Sequence, residues 1–239
     1  PDVEKAGSAN TVTFTWYKKD ENSWTELNEA PVNAGSYKVV ATVHADDDYN
    51  GATAEKEFAI SRTTNGWTQE LSIADWTYGQ TASTPTATAQ YGDVTFTYSD
   101  KKDGTYTDTV PTDAGTWYVK ASVAGNENYT GLEAVKKFNI GKANSSITFK
   151  DGFSLNKVYD TQPVTVSEEN IETTGSTGKV DFSYEKKVSD TWETLSESPA
   201  NVGTYRVTAT LTGDNNYNSA TSKDLEFTIA KAGSSLVIT

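Results

Sequence analysis

The strongest folding signal in the chain is the stretch Asn33-Ala-Gly-Ser-Tyr-Lys-Val-Val-Ala-Thr-Val43. Within it Tyr37, Val39 and Ala41 occupy alternate positions, and a period of two is typical of a β-strand that buries one face. The Asn and Gly residues ahead of the strand favour a turn. The stretch therefore predicts a turn that leads directly into a half-buried strand.

The same stretch occurs twice more, as Asp113-Ala-Gly-Thr-Trp-Tyr-Val-Lys-Ala-Ser-Val123 and as Asn201-Val-Gly-Thr-Tyr-Arg-Val-Thr-Ala-Thr-Leu211. Three further blocks surround each copy in the same order: an upstream strand, a loop that carries a tyrosine, and a closing Phe-x-Ile. They are Val12–Trp16, Val94–Tyr98 and Val180–Tyr184; Asp48–Asn50, Asn128–Thr130 and Asn216–Asn218; and Phe58–Ile60, Phe138–Ile140 and Phe227–Ile229. Four blocks in constant order indicate three homologous repeats.

The recurrent turn and strand resemble the Asp-x-Gly-x-Tyr-x-Cys stretch of immunoglobulin-type domains, in which the tyrosine latches a corner. The resemblance implies structural roles for the corner glycines and aromatic residues and for the loop tyrosines. These residues are Gly35, Tyr37, Gly115, Trp117, Gly203 and Tyr205, with Tyr49, Tyr129 and Tyr217 in the loops. Valine stands in the position of the cysteine. Trp117 has no phenol hydroxyl, so the sequence leaves open how the second corner closes.

Short strands separated by turn residues, without a useful stretch of helical periodicity, predict an all-β fold. We expect tandem Ig-like β-sandwich repeats in an elongated array. The chain contains 13 Tyr, 8 Phe and 6 Trp residues. Such residues can build a thin core, because each buries a large area.

The repeats are expected to span residues 1–63, 64–143 and 144–232. Alignment of Val12 with Val94 places Pro1 opposite Ser83, so repeat one is expected to lack its opening strands. Residues 233–239 match the start of repeat three and are expected to form the first strand of a fourth repeat. Because an incomplete sandwich exposes strand edges, strand exchange between chains through this tail is one hypothesis. The other is that the chain is a piece of a longer protein whose upstream residues complete repeat one.

The net charge of −13 argues against partners that are themselves anionic. We expect no binding to nucleic acid and none to an anionic membrane surface. No apolar run approaches the roughly 18 residues that would span a bilayer, so membrane insertion of this segment is not expected. The chain has no cysteine, which excludes disulfides, thiolate chemistry and sulfur-ligated metals. No cofactor is predicted.

Few residues are candidates for a metal or catalytic site. Asp46, Asp47 and Asp48 could supply oxygen ligands for calcium, but the equivalent loops mix Asn, Glu and Asp, which favours a turn. His44, the single histidine, has no second histidine or cysteine with which to form a metal site or triad. No pair of acids recurs in register, so glycoside hydrolysis is not predicted.

Two tryptophans, Trp67 and Trp76, occur in the opening segment of repeat two and lack clear partners in repeat three. They could stack on sugar rings, with core packing as the alternative. By contrast, Trp24, Tyr106 and Trp192 recur in register, which favours packing. Lys157 is a conceivable donor of an isopeptide cross-link, although no acceptor motif stands out.

The ordered set of motifs resembles the repetitive MBG-type and YDG-type modules of bacterial surface proteins. It consists of the steps Tyr78-Gly79 and Tyr159-Asp160, the three Gly-x-aromatic strands, the segment Gly125–Tyr129 and the closing Phe-x-Ile. The resemblance covers nearly the whole chain. It implies tandem modules of exported bacterial adhesins, extracellular and without catalysis, whose first partners are the neighbouring repeats.

The resulting hypothesis is a non-catalytic spacer or stalk segment of a bacterial cell-surface or secreted protein. Two alternatives remain open at this point. One is a binding module for a host protein or glycan, and the other is an accessory module of a polysaccharide-degrading enzyme.

Overall fold

A computed structural model describes residues 2–238 of the chain. Within that range the regular structure is almost entirely β-strand, with one short 3-10 turn at Glu168–Asn170. No helix in the described part is long and apolar enough to cross a membrane. The predicted all-β class is therefore confirmed.

Repeat one forms a single antiparallel sheet. Its strands are β1 (Thr13–Asp20), β2 (Ser23–Leu27), β3 (Gly35–Val43) and β4 (Ala52–Ile60), in the order β2-β1-β3-β4. The register places Tyr37 of β3 opposite Lys18 on one side and Phe58 on the other.

Repeat two contributes six strands to two sheets. They are β5 (Trp67–Ser72), β6 (Trp76–Thr77), β7 (Thr86–Ala89), β8 (Thr95–Ser99), β9 (Gly115–Val123) and β10 (Leu132–Gly141). One sheet has the order β6-β10-β9-β8, and the other pairs β5 with β7.

Repeat three has the same plan with two further strands. Its strands are β11 (Ser146–Phe149), β12 (Lys157–Val158), β13 (Ile171–Thr174), β14 (Val180–Val188), β15 (Thr191–Leu195), β16 (Gly203–Leu211), β17 (Ala220–Thr221) and β18 (Leu225–Ala230). The two further strands are β15 and β17. The large sheet has the order β12-β18-β16-β14-β15, with β17 also paired to β16, and the small sheet pairs β11 with β13.

The chain divides into two compact units that do not follow the repeats. The first contains residues 1–72, 85–97 and 119–136, and the second contains residues 73–84, 98–118 and 137–239. Repeat two contributes to both. Each unit therefore contains one boundary between consecutive repeats, together with the loop that packs on it.

The best-formed core lies between the two sheets of repeat three. Along β16 the side chains of Tyr205, Val207, Ala209 and Leu211 are buried while those between them are partly exposed. Ile147 and Ile171 of the small sheet pack on Ala209 and Leu211. Burial on alternate positions is the pattern that the sequence predicted for a sandwich.

Repeat one has a thinner core, although its sequence pattern is the same. In β3 Tyr37 is buried, but Val39, Ala41 and Val43 are partly exposed. Residues 2–63 contain no second sheet to cover them. The expectation that repeat one lacks its opening strands stays a prediction, as do the predicted repeat boundaries.

The C-terminal tail is extended and exposed. Residues 231–238 form no strand, and Leu236, Val237 and Ile238 are 99%, 84% and 100% exposed. The prediction that this segment begins a fourth repeat, with Thr239 outside the described residues, remains a prediction.

Candidate functional site

The corner turn has the same hydrogen bond in all three repeats. The phenol hydroxyls of Tyr37 and Tyr205 donate to the carbonyls of Asn33 and Asn201, at 2.9 and 2.8 Å. In repeat two the indole N–H of Trp117 donates to the carbonyl of Asp113 at 2.9 Å. A tryptophan can therefore close the corner, because its ring N–H reaches the same acceptor four residues back.

The loop before each loop tyrosine is an Asx turn. Its first residue is Asp46, Asn126 or Asp214, and one side-chain oxygen accepts hydrogen bonds from the two backbone N–H groups that follow at positions +2 and +3. The distances lie between 2.8 and 3.1 Å. Since Asp and Asn both serve, the position requires an oxygen acceptor and not a charge.

The loop of repeat three packs on the end of repeat two. The side-chain oxygen of Asn216 accepts from the backbone N–H of Ala114 at 2.8 Å, and its amide donates to the carboxylate of Asp113 at 3.1 Å. On the linker side, Ala143 donates to the carbonyl of Asn216 and accepts from the N–H of Asn218, at 2.9 and 2.8 Å. Lys142 donates to the carbonyl of Asp214 at 2.5 Å.

The loop of repeat two packs on the end of repeat one through an equivalent Asn side chain and equivalent linker backbone groups. The side-chain oxygen of Asn128 accepts from the N–H of Ala34 at 2.8 Å, and its amide donates to Asn33 at 3.0 Å. Thr63 donates to the carbonyl of Asn128 at 2.7 Å and accepts from the N–H of Thr130 at 3.1 Å. Arg62 takes the place of Lys142 and donates to the carbonyl of Glu127 at 3.2 Å.

These two junctions were not identified from the sequence. The signal was present, because Asn128 and Asn216 occupy one repeat position and Asp48 occupies it in repeat one. However, an Asn or Asp at that position by itself indicates only an ordinary turn. The tertiary structure shows that its side chain bridges two repeats.

The loop tyrosines pack beside the junctions. Tyr129 stacks on Tyr91 at 4.8 Å between ring centroids, and Tyr217 meets Tyr78 edge-on at 5.3 Å. Tyr49 of repeat one is 55% exposed. The contact between Tyr78 and Tyr217 therefore crosses the boundary between repeats two and three, whereas Tyr91 and Tyr129 both belong to repeat two.

Comparison with known families gives one match that covers most of the chain. The model of the MBG domain matches residues 5–64, 70–144 and 146–233. The chain belongs to the MBG domain family. The predicted resemblance is thereby confirmed, and the three matched segments are the three repeats seen in the sequence. MBG domains are not known as catalytic domains.

Among solved structures, the chain is similar to two crystal structures of Drosophila N-cadherin. For the fragment EC1-3 the identity is 12% and the TM-score 0.25, over 96% of this chain and 92% of the other. For EC1-4 the identity is 12% and the TM-score 0.22, over 96% and 69%. A search of curated proteins found no match.

In the acidic loop of the first MBG repeat, both carboxylate oxygens of Asp46 already accept hydrogen bonds from backbone N–H groups. The second carboxylate oxygen of Asp46 accepts from the N–H of Ala9 at 2.8 Å. The carbonyl of His44 accepts from Ser8, and the His44 side chain is exposed. Among residues 2–238 no group of three or more His, Cys, Asp or Glu side chains is arranged to hold a metal ion.

The two tryptophans that are candidates for glycan binding have different surroundings. Trp76 lies flat on Phe138, with 5.0 Å between centroids and 19° between planes, and its strand pairs with β10 at Ile140. Trp67 is partly buried in β5, opposite Ala89. Stacking on Phe138 accounts for the position of Trp76, although both tryptophans are partly exposed.

The recurrent tryptophans of the first and third repeats lie under basic side chains. Trp24 lies below Lys38 at 5.0 Å, and Trp192 lies below Arg206 at 4.6 Å. Such contacts stabilise partly exposed rings. Lys157, the conceivable isopeptide donor, instead forms an ion pair with Asp160 at 2.6 Å and donates to the carbonyl of Gln162.

The Asx turns predict a specific dependence of stability on pH. The pKa of Asp214 is held below its ordinary value of 3.8, mainly by the hydrogen bond from the backbone N–H of Asn216. The pKa of Asp46 is lowered in the same way, mainly by the hydrogen bond from the backbone N–H of Ala9. A carboxyl whose folded pKa is lowered stabilises the fold above its ordinary pKa, and this contribution is lost as the pH falls through the folded value. We expect Asp214→Asn to flatten the decline of the melting temperature below about pH 5.

The matched control for this prediction is Asn126→Asp in repeat two, which should add a titrating group and steepen the decline. Melting temperatures measured by calorimetry between about pH 2 and 6 would test both variants against the native chain. Equal slopes for all three proteins would contradict the prediction.

Proposed function

We propose that this chain is a non-catalytic spacer segment of a bacterial cell-surface or secreted, adhesin-like protein. The observation that carries the proposal is the repetition of one junction, with the same Asn side-chain bridge and the same pair of linker backbone hydrogen bonds, at both boundaries between repeats. A chain of independent binding domains has no need to hold each neighbour in the same way, whereas a spacer does.

The junction is suited to restricting motion. At each boundary an Asn side chain bonds to the preceding corner turn, while two backbone hydrogen bonds tie the loop to the linker. Each such bond contributes only about 0.5–1.5 kcal/mol. Several together, over the short linkers Ser61–Thr64 and Gly141–Ala143, limit how far one repeat can rotate on the next.

The contacts of the recurrent residues also support a structural role for the chain. The corner aromatics close a turn, the Asx residues form a loop, and the loop tyrosines of repeats two and three pack beside a boundary. In a linear array of this kind stability arises within repeats and between nearest neighbours. A surface location is proposed from the MBG family to which the chain belongs.

The experiment compares the native chain with the double variant Asn128→Ala/Asn216→Ala. We expect the double variant to give a broader pair-distance distribution in small-angle X-ray scattering, because both side-chain bridges are lost. Asn156→Ala is the matched control, since Asn156 accepts from the N–H of Thr228 within repeat three. It should leave the distribution unchanged. A native chain as flexible as the double variant would contradict the spacer function.

A glycan array and a pull-down with the whole chain test the competing function. Binding that is lost in Trp67→Ala and kept in Trp76→Phe would favour a binding module, because the ring of Trp76 is already stacked on Phe138. No retained ligand, together with the scattering result above, would favour the spacer.

A further inference from the structure

Residues 7–10 of repeat one fold like residues 175–178 of repeat three. Gly7 and Gly175 have φ angles of +94° and +91°. The hydroxyls of Ser8 and Ser176 donate to the carbonyls of His44 and Thr212, at 2.9 and 2.7 Å. The N–H groups of Ala9 and Thr177 bond to the carboxylates of Asp46 and Asp214 in the same way. The two segments are therefore equivalent, at a constant spacing of 168 residues (175 − 7).

By this equivalence, residues 3–6 of repeat one correspond to strand β13 of repeat three. In repeat three β13 is paired to β11, with Ile147 opposite Thr173 and Phe149 opposite Ile171. In repeat one residues 3–6 form no strand, and Val3, the counterpart of Ile171, is 43% exposed against 6%. Residues 3–6 therefore correspond to a strand that is paired in repeat three, but in repeat one they have no strand to pair with.

A groove with a volume of about 140 Å³ lies along this segment. It is lined by residues 3–6 and by side chains of the sheet, among them Val12, Ala41, Val43 and Ala52. Their counterparts in repeat three are Val180, Ala209, Leu211 and Ala220, the side chains around Ile147 and Ile171 of the small sheet. The groove is therefore the place that β11 occupies in repeat three.

The tail has the residues that this place requires. Ser145-Ser-Ile-Thr-Phe149 at β11 corresponds to Ser234-Ser-Leu-Val-Ile238, so that Leu236 takes the position of Ile147 and Ile238 that of Phe149. Both side chains are almost fully exposed, at 99% and 100%. A pair of large apolar side chains in an extended segment with unpaired backbone is suited to strand addition.

We propose that two copies of this chain associate head to tail, with residues 234–238 of one copy adding as a strand to repeat one of the next. The register follows from β11 and β13: Leu236 lies opposite Lys5, and Ile238 lies opposite Val3. The occupant of the groove is thus the tail of a second copy. The inference goes beyond the spacer function and does not rest on it.

The end of repeat three offers a second contact to the same partner. Its turn Asn201-Val202-Gly203 corresponds to the turns at Asn33 and Asp113, which hold the loops of repeats two and three. The loop of repeat one carries Asp48 at the position of Asn128 and Asn216. In the proposed pair the Asp48 carboxylate of one copy accepts from the Val202 N–H and the Asn201 amide of the other. Lys231 occupies the repeat position of Arg62 and Lys142, which each donate to a loop carbonyl in the structure.

Complementation between two variants tests the proposal by sedimentation of the full chain. Leu236→Asp/Ile238→Asp disables the tail without affecting the fold, since both side chains are exposed. Val3→Asp disables the groove. Each variant alone should associate on the order of a hundredfold or more weakly than the native chain, because two buried apolar side chains are lost or opposed. The mixture should form a one-to-one dimer, because one partner keeps its groove and the other its tail.

Cysteine cross-linking tests the register in a chain that has no native cysteine. Lys5→Cys mixed with Leu236→Cys should give a heterodimer disulfide, since opposed residues in a strand pair lie within disulfide range. Val237→Cys, whose side chain points to the other face, is the control and should cross-link poorly. Three results would overturn the proposal: a native chain that stays monomeric, a mixture that forms no dimer, or a double variant Lys5→Cys/Leu236→Cys that closes only within one chain.

Discussion

Phe227→Ala is expected to lower the free energy of unfolding of repeat three by about 3–5 kcal/mol, the usual cost of removing a buried phenylalanine. Phe227 is 2% exposed and stacks on Tyr205 at 5.6 Å between centroids. It lies in the cluster formed by Tyr184, Val207 and Ile229. Two sheets surround the site, so the cavity left by the ring has little room to collapse.

Phe58→Ala in repeat one is the matched control for this variant. Phe58 occupies the same repeat position and stacks on Tyr37 at 5.7 Å, but it is only partly buried. Its removal should cost clearly less, because part of the ring already faces solvent. Hydrogen–deuterium exchange of peptides from β16 and β3 measures the two repeats separately. Equal losses of protection in both repeats would contradict this argument.

Gly175→Ala is expected to cost roughly 1–3 kcal/mol, because it combines backbone strain with a steric overlap. Gly175 has a φ angle of +91°, which side chains rarely adopt. A Cβ at this position would lie 2.9 Å from the Cα of Ser145, the residue before β11, and 2.9 Å from the ring of Tyr217. Because a backbone atom is involved, the start of β11 would have to move.

The control is Gly7→Ala, at the equivalent position of repeat one. Its φ angle of +94° imposes the same backbone strain, but the nearest atom to its Cβ is the ring of Tyr49, at 3.2 Å. That exposed ring can rotate away, so the smaller loss is expected for Gly7→Ala. Urea denaturation of both variants measures the difference. Equal losses for the two variants would contradict the prediction and would show that backbone strain, and not the approach of Ser145, governs these turns.

Part of the candidate site could be predicted from residue patterns. The corner turn was recognisable from Asn33, Gly35 and Tyr37, because a turn and its aromatic latch lie within five residues of each other. The sequence shows that Trp117 stands at the tyrosine position, but it does not show how that corner closes. The indole N–H reaches the Asp113 carbonyl, and only the placed ring shows that its direction and distance are suitable.

The junctions could not be predicted, since their partners are far apart in the chain. Asn216 bonds to Asp113 and Ala114, about a hundred residues earlier, and no local period reports such a pair. An Asn in a polar loop is most often a turn residue. That role is also present here, so nothing in the residue type indicated a second one.

Sequence alone was sufficient for the repeats, the all-β class and the MBG family, because repetition and a period of two are properties of neighbouring residues. It could not decide how deeply equivalent residues are buried. Ala41 and Ala209, or Phe58 and Phe227, have similar neighbours along the chain yet differ in exposure. Burial depends on a second sheet that distant residues must supply. In repeat one the place that corresponds to β11 of repeat three is an open groove.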